Sequence, residues 1–469
     1  MNFSFGKKVI YALGQFGLVL CGYGVSKLFI SFFVSGSFPG SRMFPSYLPQ
    51  GYFFGFFTVA GLIVAICKLV DATAGMYFGF ASDRNKMKKG RRTGMMLVAI
   101  LPFTILSVLV FSPPSVHATA LNAVTVLFSA VFFYIFLAMY SIPYYALLAE
   151  LGTMPEDRML ISTLMAFSTA CASLLGNRIF WMMDKIEIVF NLSSLAGFRT
   201  ILIVFAGISC ICMMIPALFI NEKKYSEDMP IKGSFSGAVA GVFNDSWFKH
   251  YLLADFLYRT ASSLVITGFS LYVTTLLGLS EKAALFFLFL LFIATLILYV
   301  PVCMMANIFG KRRILAWAFF LFIFVLVLAF FAGMYPFSRY VQGILLSILV
   351  AVPISVFSVI PNALIADLAV ATERKSGEQR AGMYFGVQSF AEKIGQMLTF
   401  LVFQPLTAIG VVSAGDGQTG RSGLRITIIV AAVLSLAGVI SLFGYKEKEV
   451  SAIIEKKILR RLQKTDDSF

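Results

Sequence analysis

The chain has 469 residues, of which 59% are hydrophobic and 13% charged, and its mean hydropathy is +0.87. Soluble globular proteins carry roughly 25% charged residues, so this composition excludes a water-facing surface over a chain of this length and requires a bilayer as solvent. The net charge of +15 does not signify nucleic acid, because the basic residues collect in short loops between apolar spans.

A helix crossing the hydrocarbon core needs about 20 apolar residues, and the sequence predicts twelve such spans. The first, at 9–34, follows Lys7 and Lys8 and is too long for the apolar core of a cleaved leader, so it is read as a span. Spans at 52–80, 94–112, 120–148, 160–182 and 199–220 complete a first set of six. A polar linker then carries Glu222, Lys223, Lys224, Glu227 and Asp228. Six more spans follow at 251–278, 282–306, 314–334, 341–368, 382–411 and 424–444. The expected domains are an N-terminal lobe (1–220), a linker (221–249), a C-terminal lobe (250–444) and a tail (445–469).

The halves echo each other. Gly90-Arg91-Arg92 follows the second span and Gly310-Lys311-Arg312-Arg313 follows the eighth. Six plus six spans with such an echo is the plan of a two-lobed carrier with a site between the lobes. Arg84, Lys86, Lys88, Lys89, Arg91 and Arg92 make the second loop strongly basic, whereas the first, third and ninth loops offer only Arg42, His117 and Arg339. Both termini are therefore expected to be cytoplasmic. In the tail, Val450, Ile453, Ile454, Ile458 and Leu462 fall at helical spacing among Lys456, Lys457, Arg460, Arg461 and Lys464. That pattern reads as a basic amphipathic helix on the inner membrane surface or on the lobes, or as a solvated helical tail.

Cys21, Cys67, Cys171, Cys210, Cys212 and Cys303 lie in apolar runs and read as small buried residues. With only His117 and His250 beside them, a zinc site lacks ligands. The sequence offers neither a nucleophile–base constellation nor a Walker sequence, so an enzyme and an ATP-driven pump are both disfavoured. The reading is a secondary transporter without metal or cofactor, acting as a monomer on a small-molecule substrate, with membrane lipids around it and no nucleic acid.

Ionisable side chains inside spans are costly and usually mark a pathway. The candidates are Lys27, Lys68, Asp71, Arg178, Asp255, Arg259, Asp367, Glu392 and Lys393. Arg178, Asp255 and Asp367 fall near span ends, where snorkelling to water is the cheaper explanation. Lys68 and Asp71, three apart, share a helix face and can partner one another. Lys393 lies mid-span with Gln388, Glu392 and Gln396 nearby, and Asp71 across the lobe interface is its natural counter-charge. Tyr140, Tyr144 and Tyr145 flank Pro143, where a loosened helix offers ring faces and hydroxyls to a solute. Gly14, Gly17, Gly22 and Gly24 read as packing positions on the first span.

Several segments, in order, resemble the glycoside–pentoside–hexuronide cation symporters of the major facilitator superfamily. They are Lys68-Leu69-Val70-Asp71-Ala72, Gly79-Phe80-Ala81-Ser82-Asp83-Arg84 leading to Gly90-Arg91-Arg92, and Ser141-Ile142-Pro143-Tyr144-Tyr145-Ala146-Leu147. Ile266-Thr267-Gly268-Phe269, Ala366-Asp367, Gly377-Glu378-Gln379-Arg380 and Lys393 continue the series. The resemblance implies an all-α major facilitator fold, alternating access, coupling to protons or sodium, and a bacterial inner membrane. It implies substrate or ion binding by Lys27, Lys68, Asp71, Ser141, Tyr144, Tyr145, Arg259, Gln388, Glu392 and Lys393. It also implies a cytoplasmic gate of Asp83, Arg84, Arg91, Arg92 and Arg380. Gly75 stands where the family places a second aspartate, Val19 where a first-span carboxylate binds sugar, and Ser141 where an acid precedes Ile-Pro. Losing carboxylates while keeping Lys and Arg favours an anionic substrate. A sugar, glycoside or sugar acid fits that expectation, with a lysophospholipid as the alternative.

Overall fold

The computed structural model describes residues 4–33, 47–49, 52–53, 57–85, 87, 89–152, 154–225, 234–408 and 421–454. Twelve long helices form the fold. The first six are α1 (Phe5–Tyr23), α2 (Val59–Arg84), α3 (Arg91–Leu109), α4 (Ala120–Leu151), α5 (Pro155–Gly176) and α6 (Ser194–Phe219). The second six are α7 (Ser246–Leu271), α8 (Glu281–Phe309), α9 (Lys311–Phe330), α10 (Arg339–Ser376), α11 (Ala381–Ala408) and α12 (Arg421–Phe443). Ten of them are long and apolar enough to cross a membrane, and α7 and α11 are not among those ten.

Helix boundaries follow local chemistry. The Thr119, Ser193, Asp245 and Ser280 side chains accept backbone N–H bonds at the starts of α4, α6, α7 and α8, satisfying donors that have no partner inside the helix. The Asp245 cap starts α7 within the stretch read as linker. Proline at the first position opens α5. α10 runs on to Ser376 and stops at Gly377, whose φ of 72° is left-handed.

Three expectations change. Tyr52–Phe53 (β1) and Phe57–Thr58 (β2) pair as short antiparallel strands rather than opening the second span. The fifth span ends at Gly176, and Ile179–Phe190 forms a separate short helix. The linker contains a helix at Phe235–Phe243, while Glu227 and Asp228 lie outside the described residues, as do Lys86, Lys88 and Arg42.

The chain divides into two units. Unit 1 comprises 1–153, 167–232 and 381–386; unit 2 comprises 154–166, 233–380 and 387–469. In unit 1, α1 packs on α6, α2 on α4, and α3 on both α4 and α6. In unit 2, α7 packs on α12, α8 on α10, and α9 on both α10 and α12. Each pairing is the other advanced by six helices. Both α1 and α7 also run into a π-helical turn, Gly24–Leu28 and Tyr272–Leu276. The Asn122 amide clamps the loop before α4 through the carbonyls of Ser115 and His117, and the Gln342 amide clamps the loop before α10 through those of Tyr335 and Phe337. On α1, Gly14 and Gly17 face Pro216 and Ser209 of α6, as packing positions do.

The two basic loops share one device. Gly90 (φ 146°) and Gly310 (φ 91°) precede α3 and α9, and a glycine has no side chain to cap the helix it starts. A distant glutamate does so instead. Glu222, just past α6, accepts from the backbone N–H of Arg92 and Thr93 at 2.9 Å each. Glu447, just past α12, accepts from the backbone N–H of Lys311 at 2.7 Å and of Arg312 at 3.0 Å. Removing a cap costs about 0.5–2 kcal/mol, and these two also place negative charge at a positive helix end. Glu447→Ala is expected to lower unfolding stability in detergent by that amount, and an unchanged unfolding curve would refute the capping role. Residues 447–454 are helical, with Val450 and Ile454 buried in the protein. The described turns of the amphipathic tail therefore pack on protein; Lys456, Lys457, Ile458, Arg460, Arg461, Leu462 and Lys464 lie outside the described residues.

Candidate functional site

Unit 1 carries two polar groups of residues. On α2, Asp71 is 2% exposed, and the Lys68 ammonium lies 5.3 Å from the centre of the Tyr134 ring, a cation–π distance. On α4, Tyr144 is fully buried. Its ring stacks on Tyr11 at 4.5 Å, its hydroxyl donates to the Tyr11 carbonyl at 2.7 Å, and the Tyr11 hydroxyl donates back to the Tyr144 carbonyl. Both its ring and its hydroxyl are thus committed to fixing α1 against α4, which corrects its reading as a group offered to a solute. Tyr145, the next residue, is half-buried and receives a hydrogen bond from Gln15 at 3.3 Å. Ser141 is buried on α4, and Lys27 is exposed in the π-helical turn.

The second group lies at the ends of α2, α3 and α4. Asp83 is wholly buried and meets Arg92 at 3.2 Å. Glu150 binds Arg91 at 2.5 Å and Arg92 at 3.0 Å. The Asp83 carboxylate also accepts the backbone N–H of Gly382 and Met383, each at 2.9 Å, at the start of α11. The structure therefore gathers Asp83, Arg91 and Arg92, three of the residues the resemblance grouped, and adds Glu150. It does not gather Arg84, which is exposed with its guanidinium 6.0 Å from the Phe80 ring. Arg380 pairs with Glu378 at 2.7 Å in unit 2.

In unit 2, Arg259 on α7 sits between two carboxylates. Its Nε donates to Asp255 at 2.9 Å, and its Nη1 meets Glu392 of α11 at 3.0 Å. Asp255 is fully buried and also accepts from the hydroxyls of Tyr258 at 2.9 Å and Tyr251 at 3.2 Å, and from Gln388 at 3.3 Å. The reading of Asp255 as a snorkelling residue is overturned: it is a buried acid satisfied by four donor groups. Asp367 departs from that reading too, because it bridges Arg158 at 2.6 Å and Lys311 at 2.5 Å and is 6% exposed. Arg178, by contrast, is exposed. Lys393, one residue past Glu392, is half-buried in unit 2, while Asp71 belongs to unit 1.

Sequence reasoning missed Glu150, Asp255 and Arg158 as network members. A signal for Arg158 did exist. Glu156-Asp157-Arg158 opens α5 as Glu378-Gln379-Arg380 precedes α11, so the internal repeat pairs Arg158 with a residue already singled out.

A family model described as MFS/sugar transport protein matches residues 11–446. The chain is similar to a putative glycoside/cation symporter, YagG, of Escherichia coli (strain K12). The two are 20% identical over 412 residues, covering 86% of this chain and 87% of that protein. An uncharacterized symporter, YjmB, of Bacillus subtilis (strain 168) is 24% identical over 431 residues, covering 88% and 90%. Among solved structures, a bacterial homologue of the iron transporter ferroportin in an outward-facing state superposes with a TM-score of 0.67 at 15% identity, over 95% of this chain and 99% of that one. The E. coli fucose:proton symporter FucP gives 0.65 at 15% identity, over 95% and 100%. At such identities these structures establish the major facilitator fold alone. With the family model spanning nearly the whole chain and the twelve-helix fold beneath it, the chain belongs to the MFS/sugar transport protein family, of the glycoside–pentoside–hexuronide kind, and is an integral membrane secondary transporter rather than an enzyme.

Proposed function

We propose that this transporter is a cation-coupled symporter of a sugar, glycoside or sugar acid, working by alternating access in a bacterial inner membrane with both termini cytoplasmic. The observation that carries this reading is Arg259 held between Asp255 and Glu392. These charges lie on α7 and α11, the two long helices that fall outside the apolar ten. A membrane helix that gives up hydropathy for charge usually lines a pathway or a proton site. The glycoside/cation symporter named among its relatives supports the same substrate class and coupling.

In this mechanism the substrate-binding candidates are Arg259, Gln388, Lys393, Lys68, Tyr145, Ser141 and Lys27. Asp71 or Glu392 carries the coupling ion, a proton or sodium. The substrate is anionic on this reading, because cations are retained where Gly75, Val19 and Ser141 replace acids. The buried clusters Asp83–Arg92–Glu150 and Arg158–Asp367–Lys311 act as the cytoplasmic latches that each half-cycle makes and breaks.

Uptake into proteoliposomes tests the proposal. A labelled hexuronide, a neutral galactoside and a lysophospholipid are each offered with and without imposed proton and sodium gradients. Saturable, gradient-driven uptake of the hexuronide is the expected result, and uptake of the galactoside alone would keep the sugar reading while refuting the anionic one. Movement of the lysophospholipid alone would overturn the sugar reading and leave a lipid carrier on this fold.

A further inference from the structure

Arg259 is shared unequally. Asp255 is fully buried and receives Arg259, Tyr251, Tyr258 and Gln388, so its carboxylate is held by four donor groups within one unit. The Glu392 side chain is 34% exposed. Besides Arg259 it accepts one long bond, from Gln396 at 3.4 Å. Arg259 itself is 21% exposed, and a guanidinium presents five N–H donors in a planar fork. One edge of that fork is fixed by Asp255. The other meets a weakly held, part-exposed carboxylate.

We propose that Glu392 is the exchangeable ligand of Arg259: a substrate carboxylate replaces it on the guanidinium, and the displaced Glu392 takes up the coupling proton. The inference rests on the transport reading above and specifies its ion, its stoichiometry and the groups that link the two. Before binding, Asp255, Arg259 and Glu392 sum to one negative charge. Afterwards the substrate carboxylate carries the charge Glu392 has given up to its proton, and the sum is unchanged. Keeping that sum constant matters inside a membrane, where an uncompensated buried charge costs several kcal/mol. A displaced but ionised Glu392 would leave two carboxylates competing for one arginine edge, and protonation removes that conflict. Proton and anion therefore enter together, and the pair crosses without net charge.

The ionisable groups facing Glu392 are consistent with this exchange. Arg259, Asp255 and Tyr258 face it from α7, and Lys393 follows it on its own helix. α10 contributes the Phe357 and Pro361 carbonyls to the tyrosine hydroxyls. On α12, Arg425 lies over the Phe330 ring. Among the described residues Arg259 is the one cation in an ion pair with Glu392.

The test uses methyl β-D-glucuronide, with methyl β-D-glucoside as its neutral isostere. Binding of the glucuronide to purified wild-type protein in weakly buffered detergent should draw a proton from solution per molecule bound, while the glucoside draws none. In proteoliposomes, an inward gradient of about one pH unit should concentrate the glucuronide about tenfold, since one unit corresponds to 1.36 kcal/mol per coupled proton. Glu392→Gln, shown to be folded by its unfolding curve in detergent, should bind glucuronide without drawing a proton and reach only about onefold accumulation on the same gradient. Arg259→Gln should lose glucuronide exchange. Glucuronide binding without proton uptake, or pH-driven accumulation that survives Glu392→Gln, overturns the exchange while transport itself stands. Transport of the glucoside but not the glucuronide does the same. Wild-type protein that moves neither solute overturns the sugar reading and this inference together.

Discussion

Glu150→Gln is expected to destabilise the folded transporter by about 3–5 kcal/mol, the range measured when one partner is removed from a buried ion network. Glu150 is the shared acceptor of Arg91 at 2.5 Å and Arg92 at 3.0 Å, and both arginine side chains are 5% exposed or less. Glutamine keeps the shape and one acceptor oxygen but removes the charge, leaving Asp83 and the capping Glu222 to face the two guanidiniums. Asp83 is already occupied by Arg92 and by two backbone N–H groups. The loss therefore comes from buried guanidinium charge deprived of its direct partner rather than from a lost shape. That distinction has a consequence: removing a charge of each sign should cost less than removing the acid alone. Glu150→Gln/Arg91→Gln should recover a substantial part of the stability lost in Glu150→Gln, measured as unfolding in detergent. A single variant as stable as wild type, or a double variant less stable than the single one, would show that the cluster does not work by charge balance. The equivalent experiment in unit 2 is Asp367→Asn, which strips Arg158 and Lys311 of their shared acceptor.

What the sequence disclosed and what it concealed divide along one physical line. Hydropathy over about 20 residues is a local property, so the ten most apolar of the long helices were legible from composition windows alone, while α7 and α11 fall short of that hydropathy. The short basic loops were legible for the same reason, and their GRR and GKRR repeats correctly announced a duplicated fold. Helix partners are not local. Glu150 reads as an ordinary polar residue closing an apolar helix, and only the fold brings it to Arg91 and Arg92, nearly sixty positions away. Asp255 was misjudged because distance from a span end is a poor guide to depth once a helix begins earlier than hydropathy indicates. α7 starts at Ser246, capped by Asp245, which places Asp255 more than two turns inside the helix. Tyr144 failed in the opposite direction. Its residue type suits a solute, but Tyr11 occupies both its ring and its hydroxyl, and no property of the 140–145 segment reveals that. The half-to-half echo was the underused source: aligning the repeats matches Asn122 to Gln342 and Glu222 to Glu447, each placed comparably in its own unit, and it matches Arg158 to Arg380 in sequence.

Gly382→Ala is the mildest substitution expected to cripple transport, and its sign is the test. In an open helix, replacing glycine with alanine stabilises by about 0.8–1 kcal/mol because the backbone loses less freedom on folding. Gly207 on α6 is such a place, with no atom near enough to meet an added methyl group. At Gly382 the backbones of α2 and α11 cross. A methyl there would collide with the Gly79 carbonyl oxygen, the Ser82 hydroxyl and the Asp83 carboxylate. Reciprocally, a methyl at Gly79 would lie 2.5 Å from the Gly382 carbonyl oxygen. Backbone atoms cannot swing aside as a flexible side chain can, so the helices must part. Overpacking of this kind costs about 1–3 kcal/mol. Parting also stretches the two N–H bonds to Asp83, each worth about 1.5–3 kcal/mol because the acceptor is charged. These losses outweigh the alanine gain several times over. Gly207→Ala should therefore unfold no more readily than wild type and transport normally, whereas Gly382→Ala should be destabilised. Its transport rate should also fall at least about tenfold, since each 1.4 kcal/mol taken from the close crossing is a factor of ten in the population that holds it. If Gly382→Ala matched Gly207→Ala in both stability and rate, the close crossing at Gly79 and Gly382 would not be a state the transporter needs.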